Sequence, residues 1–176
     1  MLIPIFLTEE DKMNQTYLNL AKQNFKFSSA HFLIFDDQHA EMLHGHNYQV
    51  AVVIYPKADF NFEKKGYFID FADVKTKVKK RCDLWDEHVI LPEKHPDMKY
   101  RLSADNKNYE INFRDRFYSL PKNETVWLPI TNTSVEQLSQ IFAQGLMSDF
   151  SDSPVSRIEV TVEETRGQSA TTELTA

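Results

Sequence analysis

"HAEMLHGHNY", residues 39–48, carries three of the chain's six histidines and runs directly into "NYQVAVVIY", residues 47–55. The second stretch is rich in Val, Ile and Tyr and reads as a β-strand that Pro56 ends. Side chains at i and i+2 of a strand share a face, so His44 and His46 project together from its start. Gly45 between them removes bulk and lets the backbone bend. Two neutral imidazoles side by side suit a first-row metal, zinc in particular. A catalytic zinc site has three protein ligands and keeps the fourth position for water or substrate. The pair alone is equally compatible with two satisfied surface or core histidines, so a third ligand decides between the readings.

Around this centre the chain reads as an α+β protein. "FKFSSAHFLIF" (25–35) is an earlier strand, expected to pair antiparallel with the histidine strand across the polar loop "DDQHAEML" (36–43). Further on, Phe71, Val74, Val78 and Cys82 recur at three- to four-residue spacing after Asp70, which predicts a helix. Its lysines lie on the opposite face and towards the C-terminal end, where they suit the helix dipole. Cys82 reads as a buried helix residue. "NTSVEQLSQIFAQGLMSDF" (132–150) predicts a second helix, with Thr133 or Ser134 as cap, Glu136 or Gln137 closing a capping box, and Val135, Leu138, Ile141, Phe142 and Leu146 as its apolar face. "VSRIEVTVEET" (155–165) alternates as a strand, and "QSATTEL" (168–174) as a short last one. Between the helices, "PEKHPDMKYRLSADNKN" (92–108) reads as loop, and "YEINFRDRFYSLPKNETVWLPI" (109–130) as two short strands in a hairpin about "PKNE". The expected organisation is an N-terminal extension at 1–22 and one domain at 23–176 with an insertion at about 92–130. Its two helices pack on one face of a four-stranded antiparallel sheet.

Bulk properties narrow the function. A chain of 176 residues can bury one substantial core. The net charge of -6 argues against general nucleic-acid binding and against an anionic membrane surface. The single cysteine excludes an internal disulfide framework and fits a reducing compartment. "MLIPIFLTEEDKMNQ" has no basic n-region and meets acids at Glu9 and Glu10, so it does not read as a signal peptide. A cytoplasmic protein is the expectation.

Taken in order, "FSSAH", "HGHNY", "IDF", the first helix, "DEHVILP", "NTSVEQL" and "VEET" resemble the 6-pyruvoyltetrahydropterin synthase and 6-carboxytetrahydropterin synthase family. The resemblance covers most of residues 25–170. It implies the tunnelling fold, in which subunits join sheets edge to edge into a β-barrel of three chains, and two rings stack into a hexamer. It supplies the third zinc ligand: His31, with His44 and His46. "LWDEHVILP" (84–92) matches the catalytic leucine–aspartate–histidine motif, with His88 as the histidine and Asp86 or Glu87 as the carboxylate beside it. Glu164 matches the glutamate that anchors the pterin ring, and Ser134 is carried over as a second substrate contact. If active sites lie between subunits, Glu164 serves a pocket whose zinc belongs to a neighbour.

One departure matters. Ala40 stands where the family usually has a cysteine that acts as general base. Glu41, three residues before His44, resembles the branch in which glutamate replaces it. That branch is associated with cleaving the side chain of 7,8-dihydroneopterin triphosphate to 6-hydroxymethyl-7,8-dihydropterin, a folate precursor. The resemblance leaves open 6-carboxy-5,6,7,8-tetrahydropterin synthase, on the queuosine route, and 6-pyruvoyltetrahydropterin synthase. Two readings of other classes are a pterin-binding protein without catalysis and a non-enzymatic metal-binding domain.

Overall fold

The structure, a computed structural model, describes residues 16–176; the first fifteen residues of the expected N-terminal extension lie outside the described residues. The frame is set by the long strand β3 (His44–Pro56). Tyr48, Val50, Val52 and Ile54 are buried on one face, while Gln49, Ala51 and Val53 between them are only partly covered. That alternation is what a sheet with one dry face requires. β2 (Lys26–His31) pairs antiparallel with the first half of β3, from Lys26 opposite Gln49 to His31 opposite His44. β1 (Leu18–Leu20) pairs with the second half, Leu18 opposite Ile54. The boundary expected at residue 22 is therefore corrected: Leu18–Leu20 is part of the sheet.

On its other side β3 pairs with β9 (Val155–Thr165), which turns back into β10 (Gln168–Thr175). Gly167 sits in that turn at φ +85, a conformation that strains any residue with a Cβ. The four-stranded antiparallel sheet expected from sequence is thus β2-β3-β9-β10. Two further strands extend it beyond β2, both running parallel to their neighbours: β4 (His88–Pro92) and β8 (Thr125–Leu128).

The two expected helices form, and a single extra turn precedes them. After the single turn α1 (Phe62–Lys65), α2 (Phe71–Asp83) starts at Asp70, whose carboxylate accepts from the Ala72 amide at 2.7 Å. α3 (Val135–Asp149) starts at Ser134, which accepts from the Gln137 amide. Gln137 does not close a box onto Ser134; its side-chain oxygen accepts instead from the amides of Asn132 and Thr131, two and three residues before the cap. Val74, Val78 and Cys82 of α2 and Leu138, Phe142, Ala143 and Leu146 of α3 meet Val50, Val52, Ile54, Ile158, Val160 and Val162 in one core. Each such side chain contributes about 1.5–3 kcal/mol by leaving water. The two helices are also joined by Arg81, which donates two hydrogen bonds to Asp149 at 2.7 and 2.8 Å. Gly145 makes room for this pair, since a Cβ there would lie 2.6 Å from an Arg81 Nη. Among the described residues no helix is long and apolar enough to cross a membrane.

The segment between β4 and β8 differs from its sequence reading. It is a separate three-stranded antiparallel sheet, β5 (Met98–Leu102), β6 (Asn108–Phe113) and β7 (Arg116–Pro121). The polar, proline-bearing sequence of 92–108 reads as loop; in β5 Lys99, Tyr100, Arg101 and Leu102 are all exposed, so no buried face imposes the alternation that marks a strand. Its strand geometry comes from pairing with β6. The hairpin turns at Arg114–Asp115, with Arg114 at φ +54, and not at "PKNE", where Lys122–Glu124 form a 3₁₀ turn. An Arg-Asp pair carries none of the glycine or asparagine signal typical of a two-residue turn. This small sheet builds a second core with the loop after β2: Phe32, Ile34, Leu91, Met98, Ile111 and Phe113.

Burial in the helix-sheet core pushes the Cys82 thiol up to about 12, an effect Lys79 only partly offsets. Iodoacetamide at pH 8, followed by mass spectrometry, should leave Cys82 unmodified in the folded chain and label it fully in denaturant, because the thiolate is the reactive form. Rapid native labelling would contradict this burial.

Candidate active site

The apolar stripe of β3 does not end with the core; it continues into the histidines. His44, His46 and Tyr48 share a face with Val50, Val52 and Ile54, and β2 adds His31 to it opposite His44. β9 adds Glu164, the next residue of the stripe Ile158, Val160, Val162. Where helical cover stops, the sheet face turns from hydrocarbon to imidazole and carboxylate.

The surroundings decide which nitrogen each ring presents. His31 Nδ1 lies 3.1 Å from the Thr133 carbonyl, and His44 Nδ1 lies 2.8 Å from the Met42 carbonyl. A carbonyl can only accept, so both Nδ1 atoms carry the proton and both Nε2 atoms present lone pairs. Thr133 is itself fully buried and tied by its hydroxyl to the Phe32 carbonyl at 2.9 Å. His44 Nε2 and His46 Nε2 are 2.8 Å apart, and one ligand nitrogen from each of the three histidines lies within 4.8 Å of the others. Imidazoles on a tetrahedral zinc at about 2.0–2.1 Å would hold their nitrogens about 3.3 Å apart. The cluster fits a three-histidine metal site with little movement. Burial lowers the pKa of His31, with Glu164 opposing and His44 and His46 adding to the effect. The neutral ring, the form that binds metal, is therefore favoured.

Two carboxylates flank the cluster. Glu164 Oε1 is 3.1 Å from His31 Nε2 and 3.7 Å from His46 Nε2. It also accepts from the Tyr48 hydroxyl at 3.1 Å. Burial, followed by Glu164, raises the Tyr48 pKa, so this group stays a phenol and a donor. Glu164 thus reaches the histidines of its own chain. Glu163, as strand parity requires, turns away and accepts from the Gly167 amide. On the opposite side Glu41 Oε2 is 3.9 Å from His44 Nε2 and accepts from the Leu33 amide at 2.9 Å.

The remaining expected site residues lie further off. His88 opens β4 opposite Ser29, and Ser29 lies opposite His46, so two strand spacings, about 10 Å, separate the backbones of His88 and His46, while His31 lies on the intervening strand β2. No hydrogen bond joins His88 to the cluster among the described residues. Neither candidate carboxylate touches its ring: His88 Nδ1 donates to the backbone carbonyl of Asp86. The Asp86 carboxylate accepts from the Ser28 amide at 2.7 Å. Glu87 is exposed, at φ +59, with its amide on the Ser28 carbonyl. Ser134 spends its hydroxyl on the helix cap, while its neighbour Thr133 reaches His31. Sequence reading missed two contributors. Tyr48 was legible as the next member of the 44, 46 stripe. Thr133 was weighed only as a helix cap, because its contact with His31 spans 102 positions of chain.

A helix-backed sheet whose open end gathers three imidazoles between two carboxylates defines a protein of the tunnelling-fold class with a candidate metal site. The family model for 6-pyruvoyl tetrahydropterin synthase matches residues 20–174. A protein of Methanocaldococcus jannaschii, provisionally named 6-carboxy-5,6,7,8-tetrahydropterin synthase, is 32% identical over 87% of this chain and 92% of its own. The crystal structure of Plasmodium vivax 6-pyruvoyl tetrahydropterin synthase superposes with a TM-score of 0.82 at 32% identity, covering 92% of this chain and 98% of that one. The Plasmodium falciparum enzyme gives 0.81 at 29% identity, covering 92% and 99%. The chain belongs to the 6-pyruvoyl tetrahydropterin synthase family, whose enzymes carry out pterin side-chain chemistry.

Removal of one imidazole leaves too few ligands for tight binding. His44→Ala should weaken Co²⁺ affinity by at least about a hundredfold and abolish the tetrahedral cobalt absorption bands. Unchanged bands in that variant would place the metal elsewhere.

Proposed function

We propose that this chain is a zinc-dependent lyase that acts on 7,8-dihydroneopterin triphosphate and releases 6-hydroxymethyl-7,8-dihydropterin. The observation that carries the reading is the Glu41 carboxylate beside His44 at 3.9 Å, with Ala40 where the family usually has its cysteine. A solved variant of the Plasmodium vivax protein, in which a glutamate described as a catalytic residue is replaced by alanine, supports a glutamate in this role.

In this reading His31, His44 and His46 hold Zn²⁺, which when bound makes the side-chain hydroxyls of the substrate more acidic. Glu164 receives the pterin ring through parallel hydrogen bonds from its 2-amino group and N3–H, and Tyr48 fixes the orientation of that carboxylate. Glu41 takes the proton of the second side-chain hydroxyl. The bond between the first and second side-chain carbons then breaks in the retro-aldol sense, and the outer fragment leaves as an aldehyde with the triphosphate. The first carbon keeps its hydroxyl and gains a proton, which gives the hydroxymethyl product. His88 is the proposed donor: its Nδ1–H is committed to a backbone carbonyl, so Nε2 is the nitrogen that exchanges protons. Because His88 stands away from the metal histidines of its own chain, the reading favours a site completed by a second subunit. β10 and the short β1 leave sheet edges for a homo-trimer or homo-hexamer to pair. Asp86 shapes the turn before His88 rather than touching its ring, and Ser134 contributes through the helix start that carries Thr133. A cytoplasmic location belongs to the same reading.

The name of the Methanocaldococcus jannaschii relative favours one alternative, 6-carboxy-5,6,7,8-tetrahydropterin formation. Incubation with 7,8-dihydroneopterin triphosphate and chromatography of the products separates the two: the hydroxymethylpterin is expected, and a carboxylated product would overturn the proposal. Glu41→Ala should lower turnover by at least about a hundredfold with zinc content unchanged. A near-normal rate in that variant would remove Glu41 from the chemistry.

A further inference from the structure

The three-stranded sheet β5–β7 is not needed to build the histidine cluster, yet one of its arginines grips the loop that carries Glu41. The loop leaves β2 after His31 and returns at His44. It folds on itself through the Glu41 amide on the Leu33 carbonyl and the Leu33 amide on the Glu41 carboxylate, both at 2.9 Å. Arg116, the first residue of β7, lies across it. One Nη donates to the Glu41 carbonyl, and the other donates to the Ala40 carbonyl at 3.0 Å. The guanidinium packs near the rings of Phe32 and Phe113, with centroids at 5.9 and 5.8 Å. A second tether comes from Arg114, which donates to the Asp36 carbonyl at 2.6 Å while paired with Asp97 at 2.8 Å.

We propose that Arg116 is a positioning residue for Glu41, and that the inserted sheet serves this site by presenting it. The choice of atoms gripped is what points to positioning. Arg116 holds two successive backbone carbonyls and leaves the carboxylate alone. An ion pair with the carboxylate would occupy the oxygen that has to receive a proton; among the described residues no lysine or arginine pairs with Glu41. Bridging two adjacent carbonyls needs the planar fork of a guanidinium, because an ammonium is a point donor on a flexible stem. The small sheet is in turn anchored on the large one through Leu91 of β4, so the loop is referenced to the frame that positions the histidines.

The role of Glu41 as base is taken from the proposed function, so the test includes a readout that needs no reaction. Arg116→Met keeps the stem packed on Phe32 and Phe113 but removes both donors; Arg116→Lys keeps charge and packing but loses the fork. Hydrogen exchange of the Leu33 and Glu41 amides should quicken at least about tenfold in Arg116→Met, with Val50 and Val160 unchanged. Unchanged exchange at Leu33 and Glu41 overturns the proposal whatever the enzyme catalyses. In turnover, Arg116→Met should lower kcat roughly tenfold to a hundredfold at near-constant KM, with zinc retained, and Arg116→Lys should recover only part of the loss. In a Glu41→Gln background, Arg116→Met should produce no further loss of kcat. Equal losses in both backgrounds would overturn positioning through Glu41. Faster exchange in a protein whose wild type yields no hydroxymethylpterin would leave the loop clamp standing and remove only the proposed reaction.

Discussion

The register between β2 and β3 is the constraint on which the rest depends. His31 faces His44 across that pair, with Ser29 opposite His46 and Phe27 opposite Tyr48. All six lie on the face that packs against the helices. A slip of one residue in β2 would send Phe27 out of the core and His31 to the polar face together, because strand side chains alternate with a period of two. The hydrophobic core and the imidazole cluster are therefore specified by the same hydrogen-bond ladder. Burying Phe25, Phe27 and Tyr48, all nearly inaccessible to solvent, holds the histidines in place.

This arrangement puts strong polar groups at the margin of a dry core, where an unsatisfied one is costly. The chain meets that cost locally. The Thr133 carbonyl accepts a hydrogen bond from Nδ1–H of His31, and the Met42 carbonyl accepts one from Nδ1–H of His44. Tyr48 gives its hydroxyl to Glu164, and Leu33 gives its amide to Glu41. The outcome is that the Nε2 lone pairs of His31 and His44 face the same cluster, with their Nδ1 protons already committed. Such second contacts set tautomer and ring orientation, and thereby the affinity of a metal site.

The chain from β4 to β8 divides into two roles. The flanking strands β4 and β8 extend the large sheet, and the strands between them build a smaller one whose apolar face covers the loop after β2. The loop that carries Glu41 is thus held by two arginines, and its Phe32 and Ile34 pack into the second core, while Phe35–His39 and Met42 stay exposed. Loops that bear functional groups are often among the less stable parts of a fold; here a supporting layer offsets that tendency.

The sequence by itself determined the elements that bury a regular face. The alternation of 47–55 and 155–165, the spacing of Val74, Val78 and Cys82, and the caps Asp70 and Ser134 are local signals, and all recur in the structure; Phe71, expected on the same face, is exposed at the helix start. The His44 and His46 pair was legible for the same reason, as two positions of one strand face. His31 and Glu164 entered through resemblance to a family, since nothing local links positions 13 or more apart on different strands. What only tertiary structure decided are features with no local signature. β5 is an exposed strand defined by its partner, and the β6–β7 turn at Arg114–Asp115 lacks the usual turn residues. The contacts of Thr133 with His31, Tyr48 with Glu164, and Arg116 with Glu41 join residues separated by 102, 116 and 75 positions. Those pairings exist because strand register and the packing of two sheets bring the groups together, and a one-dimensional pattern does not record distance between faces.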